Sequence, residues 1–140
     1  MRERTTPVFV YGTLIFGPVL DRVLTRRPEM CRAAAPGFAA RKMPGATYPG
    51  MVAVDQSVAG GVLLLELTEV ELSLLDDYEG PPYRREIIAV VDDLGRVVEA
   101  FADLVDDVEV TDQPWTSREF FESHLDDFLV ALDAASLSGP

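Results

Sequence analysis

A Gly-Pro-Pro turn placed directly after an acidic helical segment is the feature that most restricts how this chain can fold. Residues 74–79 read LLDDYE, and Gly80-Pro81-Pro82 follows at once. Proline has no amide donor and clashes with the preceding helical turn, so a helix must end at this point. Glu79 is therefore predicted to lie at a rigid junction between a helix and the next strand, flanked by Tyr78 and Tyr83.

Two interpretations of Glu79 follow from this position. In the first, the acidic residues are the solvated end of a surface helix. In the second, Glu79 is a functional group held on a loop by the elements on either side. A carboxylate at the C-terminal end of a helix is electrostatically unfavourable, so the second interpretation predicts that other groups hold Glu79 in place.

The length and composition predict one soluble globular domain. The 140 residues are enough for one hydrophobic core, and 48% hydrophobic with 26% charged residues is ordinary for such a protein. We expect a single domain over 1–140, with 135–140 as a frayed tail. No apolar run approaches the roughly 20 residues of a membrane span, and the N-terminus lacks a signal-peptide pattern, so a cytoplasmic location is expected.

The charge and the scarcity of cysteine and histidine exclude several function classes. A net charge of −12 would repel polyanions, so nucleic acid and membrane surfaces are not expected as partners. Cys31 and His124 are the only residues of their types, which excludes an intrachain disulfide and a multi-histidine zinc site. A carboxylate-only metal site stays open, but no loop has the spacing for one, and no cofactor is predicted. A Cys31 hydrolase would lack a nearby base, and His124 is expected to be structural or solvated.

The N-terminal region predicts a strand, a glycine turn and a helix. Residues 7–11 form an apolar β-rich run, Gly12-Thr13-Leu14 follows, and Pro18 suits the first turn of an amphipathic helix carrying Val19 and Leu24 on one face. In such an arrangement backbone amides can converge on an anion, although most turns of this kind only reverse the chain.

The middle of the chain is less regular. Residues 30–54 are broken by Pro and Gly and are expected mostly to wrap the core, with a strand entered near Tyr48-Pro49. A central strand is predicted over 60–67. Thr68 and Glu71 have capping-box spacing and should open the helix that delivers Glu79. A hairpin then pairs 87–91 with 97–105.

The last element is predicted to be one amphipathic helix that starts after Trp115. Thr116 and Glu119 have the spacing of a second capping box. Apolar residues recur at helical spacing and are expected to face the core. They are Phe121, Leu125, Phe128, Leu129 and Leu132.

Two motifs together resemble the γ-glutamylcyclotransferase superfamily. Residues 10–14, VYGTL, follow the first strand, and 75–80, LDDYEG, come some 60 residues later, followed by Tyr83-Arg84-Arg85. The likeness extends over nearly the whole chain and is nearest to the small AIG2-like branch, which includes γ-glutamylamine cyclotransferases. The segment 14–17, LIFG, departs from relatives that carry a basic or polar residue there, which leaves the contacts to the outer part of the substrate open.

The resemblance implies an α+β fold: a compact domain with a mixed, partly closed β-barrel, a few short flanking helices and a pocket at the barrel mouth. It implies that Glu79 is the catalytic acid/base and that the turn from Tyr11 through Gly12 and Thr13 to Leu14 binds the substrate. The Tyr11 and Tyr83 hydroxyls are hypothetical partners of the glutamyl group. Arg84 and Arg85 are expected to be exposed charges at the start of a strand rather than site residues.

The implied reaction is compatible with these residues. The α-amine of a γ-glutamyl compound attacks its own γ-carbonyl and releases 5-oxoproline and an amine, so the protein needs a proton-transfer group and oxyanion donors but no metal or redox cofactor. The expected partner is a small γ-glutamyl substrate, and the enzyme would be of the acyltransferase or lyase type. Two alternatives stay open, namely another acyl-transfer or lyase step in a biosynthetic pathway on the same fold, and a non-catalytic binding module.

Overall fold

The computed structural model describes residues 6–138, with side chains as far as residue 135. This part of the chain contains five strands, β1 to β5, and four α-helices, α1 to α4. The strands are Val8–Val10, Glu29–Lys42, Pro49–Leu65, Arg84–Asp92 and Val97–Leu104. The helices are Gly17–Leu24, Glu69–Glu79, Ser117–Ser123 and Leu125–Ser138. Short 3-10 turns occupy Thr13–Ile15 and Asp107–Glu109.

The strands form a closed barrel in the order β1-β3-β2-β4-β5. Neighbouring strands are antiparallel except β1 and β5, which are parallel and meet at Val8 and Phe101. The contact between β2 and β4 is also short, with Ala33 opposite Asp92 and Ala34 opposite Val91. The predicted α+β fold with a mixed barrel is confirmed, and two short junctions complete its closure.

The prediction for residues 30–54 was wrong over most of its length. Strand β2 pairs with β3 from Glu29 opposite Leu65 to Lys42 opposite Pro49, with a shift in register between Pro36 and Phe38. Alanine, glycine and proline have low β-propensity, so the local pattern concealed a strand that the partner strand stabilises. The predicted strand over 60–67 corresponds to the C-terminal end of β3, which stops at Leu65 and lies between β1 and β2.

Alternating side chains of β1 supply both halves of the hydrophobic core. Phe9 and Tyr11 pack with residues such as Met51 inside the barrel. Val8 and Val10 face the other way and pack under α1 and α2. This alternation is expected for a strand buried on both faces. It places the end of β1 between the barrel interior and the helices, where the turn at residues 12–14 begins.

The predicted C-terminal helix is divided at His124, which caps α3 before α4 begins. Because the helical phase changes there, Phe120 is fully buried and Phe121 is 62% exposed, so the core assignment of Phe121 was wrong. Leu125 is buried as predicted, and the remaining apolar residues of α4 in the set pack partly buried against the same core. Helix α4 continues to Ser138, past the point where a tail was predicted to begin, and residues 139–140 lie outside the described part.

Candidate active site

Helix α2 begins as the capping box predicted. The Glu71 N–H donates to Thr68 Oγ1 at 3.1 Å, and the Thr68 N–H donates to Glu71 Oε1 at 3.0 Å. The box satisfies two amides that the first turn of a helix leaves without intrahelical acceptors. From this fixed start the helix runs for 11 residues and ends at Glu79.

The end of α2 is fixed by backbone hydrogen bonds. Gly80 has φ 61°, a left-handed conformation that favours glycine, and its N–H donates to the Asp76 carbonyl at 2.9 Å. The Tyr83 N–H then donates to the Gly80 carbonyl at 3.1 Å. Within residues 6–138 the Glu79 carboxyl group makes no hydrogen bond or ion pair. The groups that hold Glu79 in place, which the sequence left unspecified, are therefore the backbone hydrogen bonds of the turn rather than side chains.

The turn after β1 presents free backbone donors. Residues Thr13–Ile15 form a 3-10 turn that starts at Gly12. In the described chain the N–H groups of Gly12, Thr13 and Leu14 donate to no other protein atom, as is usual for the first amides of a helical turn. A Cβ atom at Gly12 would lie 2.9 Å from the Pro49 ring, so a larger residue would push the turn away from β3.

The Tyr78 hydroxyl joins this turn to α2. It lies 2.7 Å from Thr13 Oγ1, and either oxygen can be the donor. Burial raises the pKa of Tyr78 well above its ordinary value, so the hydroxyl stays protonated at physiological pH. The hydrogen bond connects two segments that are 65 residues apart in the chain and fixes the amides of the turn relative to the end of α2.

A cleft at the end of β1 brings the predicted site residues together. The cleft itself is narrow, with a cavity volume of about 20 Å³, and the adjoining groove, which shares Glu79, Tyr83 and Asp103 with it, adds about 320 Å³. The walls of the cleft include every residue that the sequence assigned to the site, namely Tyr11, Gly12, Thr13, Leu14, Glu79 and Tyr83. The cleft has the concave shape and mixed polarity of small-molecule sites.

The hydroxyl protons of Tyr11 and Tyr83 are already used within the protein. Tyr11 Oη donates to the Asp103 carbonyl at 2.5 Å, and Tyr83 Oη donates to the Pro49 carbonyl at 2.5 Å. Burial raises the pKa of both phenols. In this geometry each hydroxyl oxygen can still accept a hydrogen bond but does not donate to a bound molecule, which differs from the role suggested by the sequence.

Five further residues line the cleft that the sequence prediction did not place there: Phe9 and Val10 of β1, and Tyr48, Pro49 and Asp103. Tyr48 and Pro49 were assigned only to a turn. Asp103 was overlooked, although one signal was available. It is an acidic residue inside the predicted strand over 97–105, next to the buried Ala102 and Leu104, and acidic residues are depleted in strands.

Glu79 and Asp103 both have strongly perturbed pKa values. Burial, followed by the nearby negative charge of Asp103, raises the pKa of Glu79 to about 8. Burial, followed by the charge of Asp76 and opposed by Arg85, raises the pKa of Asp103 to about 6. A carboxyl group that titrates near neutral pH can both accept and return a proton, and such groups are concentrated at functional sites.

The two arginines that follow the turn are exposed, as the favoured interpretation predicted. Arg84 pairs with Glu86 at 2.7 Å and with Asp106 at 2.6 Å. Arg85 pairs with Asp76 at 3.0 Å, and its guanidinium carbon lies 4.8 Å from the centre of the Phe101 ring.

Two kinds of feature are absent from the described residues, namely a cluster of metal ligands and a membrane-spanning helix. Residues 6–138 contain no group of three or more His, Cys, Asp or Glu side chains arranged to hold a metal ion. Over the same part of the chain, no helix combines the length and the hydrophobicity that crossing a bilayer requires.

Comparisons with known proteins agree on one family. The AIG2-like protein D of Arabidopsis thaliana is 33% identical over 84 residues, covering 60% of this chain and 55% of that relative. The AIG2-like protein A of the same plant is 36% identical over 84 residues, with 60% of this chain and 51% of that protein covered. The matched region thus spans about half the length of these curated relatives.

A solved structure described as a gamma-glutamyl cyclotransferase superposes with a TM-score of 0.67 at 16% identity, covering 94% of this chain and 88% of that one. At this identity the likeness concerns the fold alone. The family model described as "Gamma-glutamyl cyclotransferase, AIG2-like" matches residues 8–122, which contain the barrel, the turn at 12–14 and Glu79. The chain therefore belongs to the AIG2-like gamma-glutamyl cyclotransferase family.

Proposed function

We propose that this chain is a γ-glutamyl cyclotransferase that converts a γ-glutamyl compound into 5-oxoproline and a free amine. The observation that carries the proposal is Glu79, an unpartnered carboxyl group with a pKa of about 8 that lines a cleft together with three free backbone amides. A carboxyl group buried without a partner is costly unless it is used, and here both its position and its protonation equilibrium suit proton transfer.

Glu79 would act first as a base and then as an acid. The carboxylate takes a proton from the substrate α-ammonium, and the resulting amine attacks the γ-carbonyl carbon to form the lactam C–N bond. The protonated Glu79 then returns this proton to the leaving nitrogen as the original amide C–N bond breaks. The second proton, which the attacking nitrogen must lose to become the lactam N–H, passes through the Glu79 carboxylate to the released amine. One group with a pKa near neutral pH performs both transfers, so no net proton is taken up or released by the protein.

The amides of Gly12, Thr13 and Leu14 would stabilise the negative charge that develops on the carbonyl oxygen. Their N–H groups are fixed before the substrate arrives, because Tyr78 holds Thr13 and the Pro49 ring lies against Gly12. Donors fixed in this way cost no reorganisation during the reaction, and each is typically worth about 3 kcal/mol of transition-state stabilisation.

The cleft would also fold the substrate so that its amine meets its own carbonyl. The attack is intramolecular, and a well-aligned intramolecular reaction gains several kcal/mol, at most roughly 7–11. The close walls contributed by Tyr11, Tyr48 and Tyr83 suit this role, since they restrict the glutamyl chain.

The test is release of 5-oxoproline from a panel of γ-glutamyl amines, γ-glutamyl amino acids and glutathione. Glu79→Gln should abolish release from the best substrate while leaving the circular dichroism spectrum unchanged. Asp77→Asn is the matched control, because it removes an exposed carboxylate two residues earlier on the same helix. Release that survives Glu79→Gln, or no release from any panel member, would contradict the proposal.

A further inference from the structure

Asp103 is a second carboxyl group in the cleft that has no partner. It lies near the end of β5 and lines both the cleft and the adjoining groove formed with Asp76, Gly80 and Arg85. Among the described residues its side chain makes no hydrogen bond or ion pair, and its backbone carbonyl accepts from Tyr11 Oη. Asp103 thus shares with Glu79 the features of a group kept for a ligand.

The absence of a partner is notable because a cation lies close by. Arg85 is opposite Asp103 in the ladder between β4 and β5. Its guanidinium is instead paired with Asp76 at 3.0 Å and lies over the Phe101 ring. A partly buried carboxylate without a direct ion pair costs free energy, and Asp103 is in that condition, although the charge of Arg85 partly offsets the rise of its pKa.

The described groups that surround Asp103 offer it no free cation. The titratable and charged neighbours from the packed elements are Tyr11, Asp76, Glu79, Tyr83 and Arg85. Both phenols remain neutral, and Arg85 is the single cation in this set and is already paired. A positively charged ligand group is therefore the chemistry that this end of the cleft can best accept.

We propose that Asp103 binds the α-ammonium group of the substrate and orients it toward Glu79. The inference rests on the proposed function, because every γ-glutamyl compound carries this ammonium group whatever amine it releases. Asp103 accepts one ammonium N–H and remains ionised, while Glu79 removes a different proton. The nitrogen lone pair that this exposes attacks the γ-carbonyl carbon, and the proton on Glu79 goes to the leaving nitrogen as its bond to that carbon breaks. The second proton that the attacking nitrogen loses follows through the Glu79 carboxylate to the released amine.

Kinetics of Asp103→Asn test the proposal, with Glu99→Gln as the control. Glu99 is an exposed carboxylate on the same strand and on the same side of the ladder, four residues away and outside the cleft. One substrate is γ-glutamyl-methylamide, whose leaving group carries no charged group of its own. The other is a γ-glutamyl-diamine, whose leaving group carries a second amine that is cationic. We expect kcat/KM of Asp103→Asn to fall about 10- to 100-fold for both substrates, as for loss of a hydrogen bond to a charged group, and Glu99→Gln to match the wild type.

The pH profile separates this role from a structural one. Asp103 raises the pKa of Glu79, so its neutralisation should move the acid limb of kcat/KM to lower pH. A loss confined to the diamine substrate would assign Asp103 to the leaving group and overturn the proposal. An unchanged kcat/KM for Asp103→Asn, together with an acid limb at the same pH as in the wild type, would overturn the proposal as well.

Measurements of ligand binding test the role of Asp103 without requiring turnover, so they can fail independently of the proposed function. In the Glu79→Gln background, calorimetry compares γ-glutamyl-methylamide, which has the ammonium group, with 5-oxoproline, which lacks it. Adding Asp103→Asn should weaken the first ligand about 10-fold or more and the second less than about 3-fold. Equal losses for both ligands would refute the ammonium contact. Asp103→Ser gives the same comparison if the asparagine variant does not fold, and the result stands even if the wild type turns over no panel member.

Discussion

Two glutamates on helix α2 show how the same residue type serves stability at one end of an element and chemistry at the other. Glu71 is 7% exposed and accepts hydrogen bonds from Arg26 at 2.7 Å and 2.6 Å and from the Thr68 N–H at 3.0 Å. Glu79, eight residues later, has no partner within residues 6–138. The hydrogen bond from Arg26 lowers the pKa of Glu71, whereas burial raises the pKa of Glu79 to about 8.

The difference follows from the two ends of a helix. At the N-terminus free amides and the helix dipole favour a carboxylate, and Arg26 adds an opposite charge. At the C-terminus the dipole opposes a carboxylate, and the cleft adds burial and the charge of Asp103. A carboxylate that has hydrogen-bond partners stabilises the fold. A carboxyl group without partners keeps the raised pKa that acid/base catalysis near neutral pH requires. The following variants test this contrast, from the largest expected effect to the smallest.

Glu79→Gln should lower kcat for 5-oxoproline release by about 10²- to 10⁴-fold, the range for removal of a general acid/base. The amide cannot accept a proton from the substrate ammonium, although it keeps the shape of the side chain. Steady-state kinetics with the best panel substrate measure the loss. A decrease of less than about 10-fold would show that another group transfers the proton.

The stability of the wild type should fall as pH rises through the titration of Glu79. The folded state keeps a proton on Glu79 from about pH 4.5 up to about pH 8, whereas the unfolded chain releases it near pH 4.5. The folded state is therefore progressively disfavoured across that window, by on the order of 3–5 kcal/mol in total. Urea denaturation of wild type and Glu79→Gln at pH 5 and pH 9 checks this. The variant should gain relative stability at pH 9, and parallel pH dependences would contradict the assignment.

Glu71→Gln should reduce the free energy of unfolding by about 1–3 kcal/mol at pH 7, because it weakens the contact with Arg26 and half of the capping box. Arg26 is about half exposed, which keeps the effect below that of a fully buried ion pair. The pKa of Glu71 is lowered, so this stabilisation is present above the unfolded-state pKa and is lost as pH falls through the folded one. Glu69→Gln, an exposed change in the same helical turn, is the control. Equal stability of both variants would contradict the structural role of Glu71.

Tyr78→Phe should have the smallest effect. It removes the hydrogen bond to Thr13 and is expected to cost about 1 kcal/mol of stability. Because this bond fixes the turn that carries the free amides, kcat should fall a few-fold with little change in KM. Thermal denaturation and steady-state kinetics measure the two quantities. A full loss of activity in a folded variant would mean that Tyr78 acts directly on the substrate.

The parts of the fold that sequence could predict are those specified locally. The capping box at Thr68 and the Gly80-Pro81-Pro82 turn define both ends of α2, so the position of Glu79 follows from nearby residues. The hairpin of β4 and β5 was predicted for the same reason. The pairing of β2 with β3 was not, because the Ala-rich strand has a weak local pattern and is stabilised by residues far along the chain.

The overlooked residue in the cleft shows the same limit. The β4–β5 hairpin, with Arg85 opposite Asp103, brings Asp103 toward the end of α2. Asp103 reaches Tyr11 and the turn at residues 12–14 because closure of the barrel brings β5 against β1, with Val8 opposite Phe101. No local spacing encodes a proximity that depends on this junction. In the C-terminal region, the helix is interrupted at a single residue, His124, which changes the helical phase. As a result Phe120 lies in the core, where Phe121 was predicted.

The contrast between Glu71 and Glu79 is tested most directly by a carbon-13 NMR titration of the side-chain carboxyl groups, with Glu71→Gln and Glu79→Gln supplying the assignments. The measurement needs no substrate. We predict that Glu79 titrates near pH 8 and Glu71 below its ordinary value of 4.5. A Glu79 resonance that titrates at or below the ordinary glutamate value would contradict the account, because a carboxyl group already ionised at neutral pH would not hold the proton that the second half of the reaction must return.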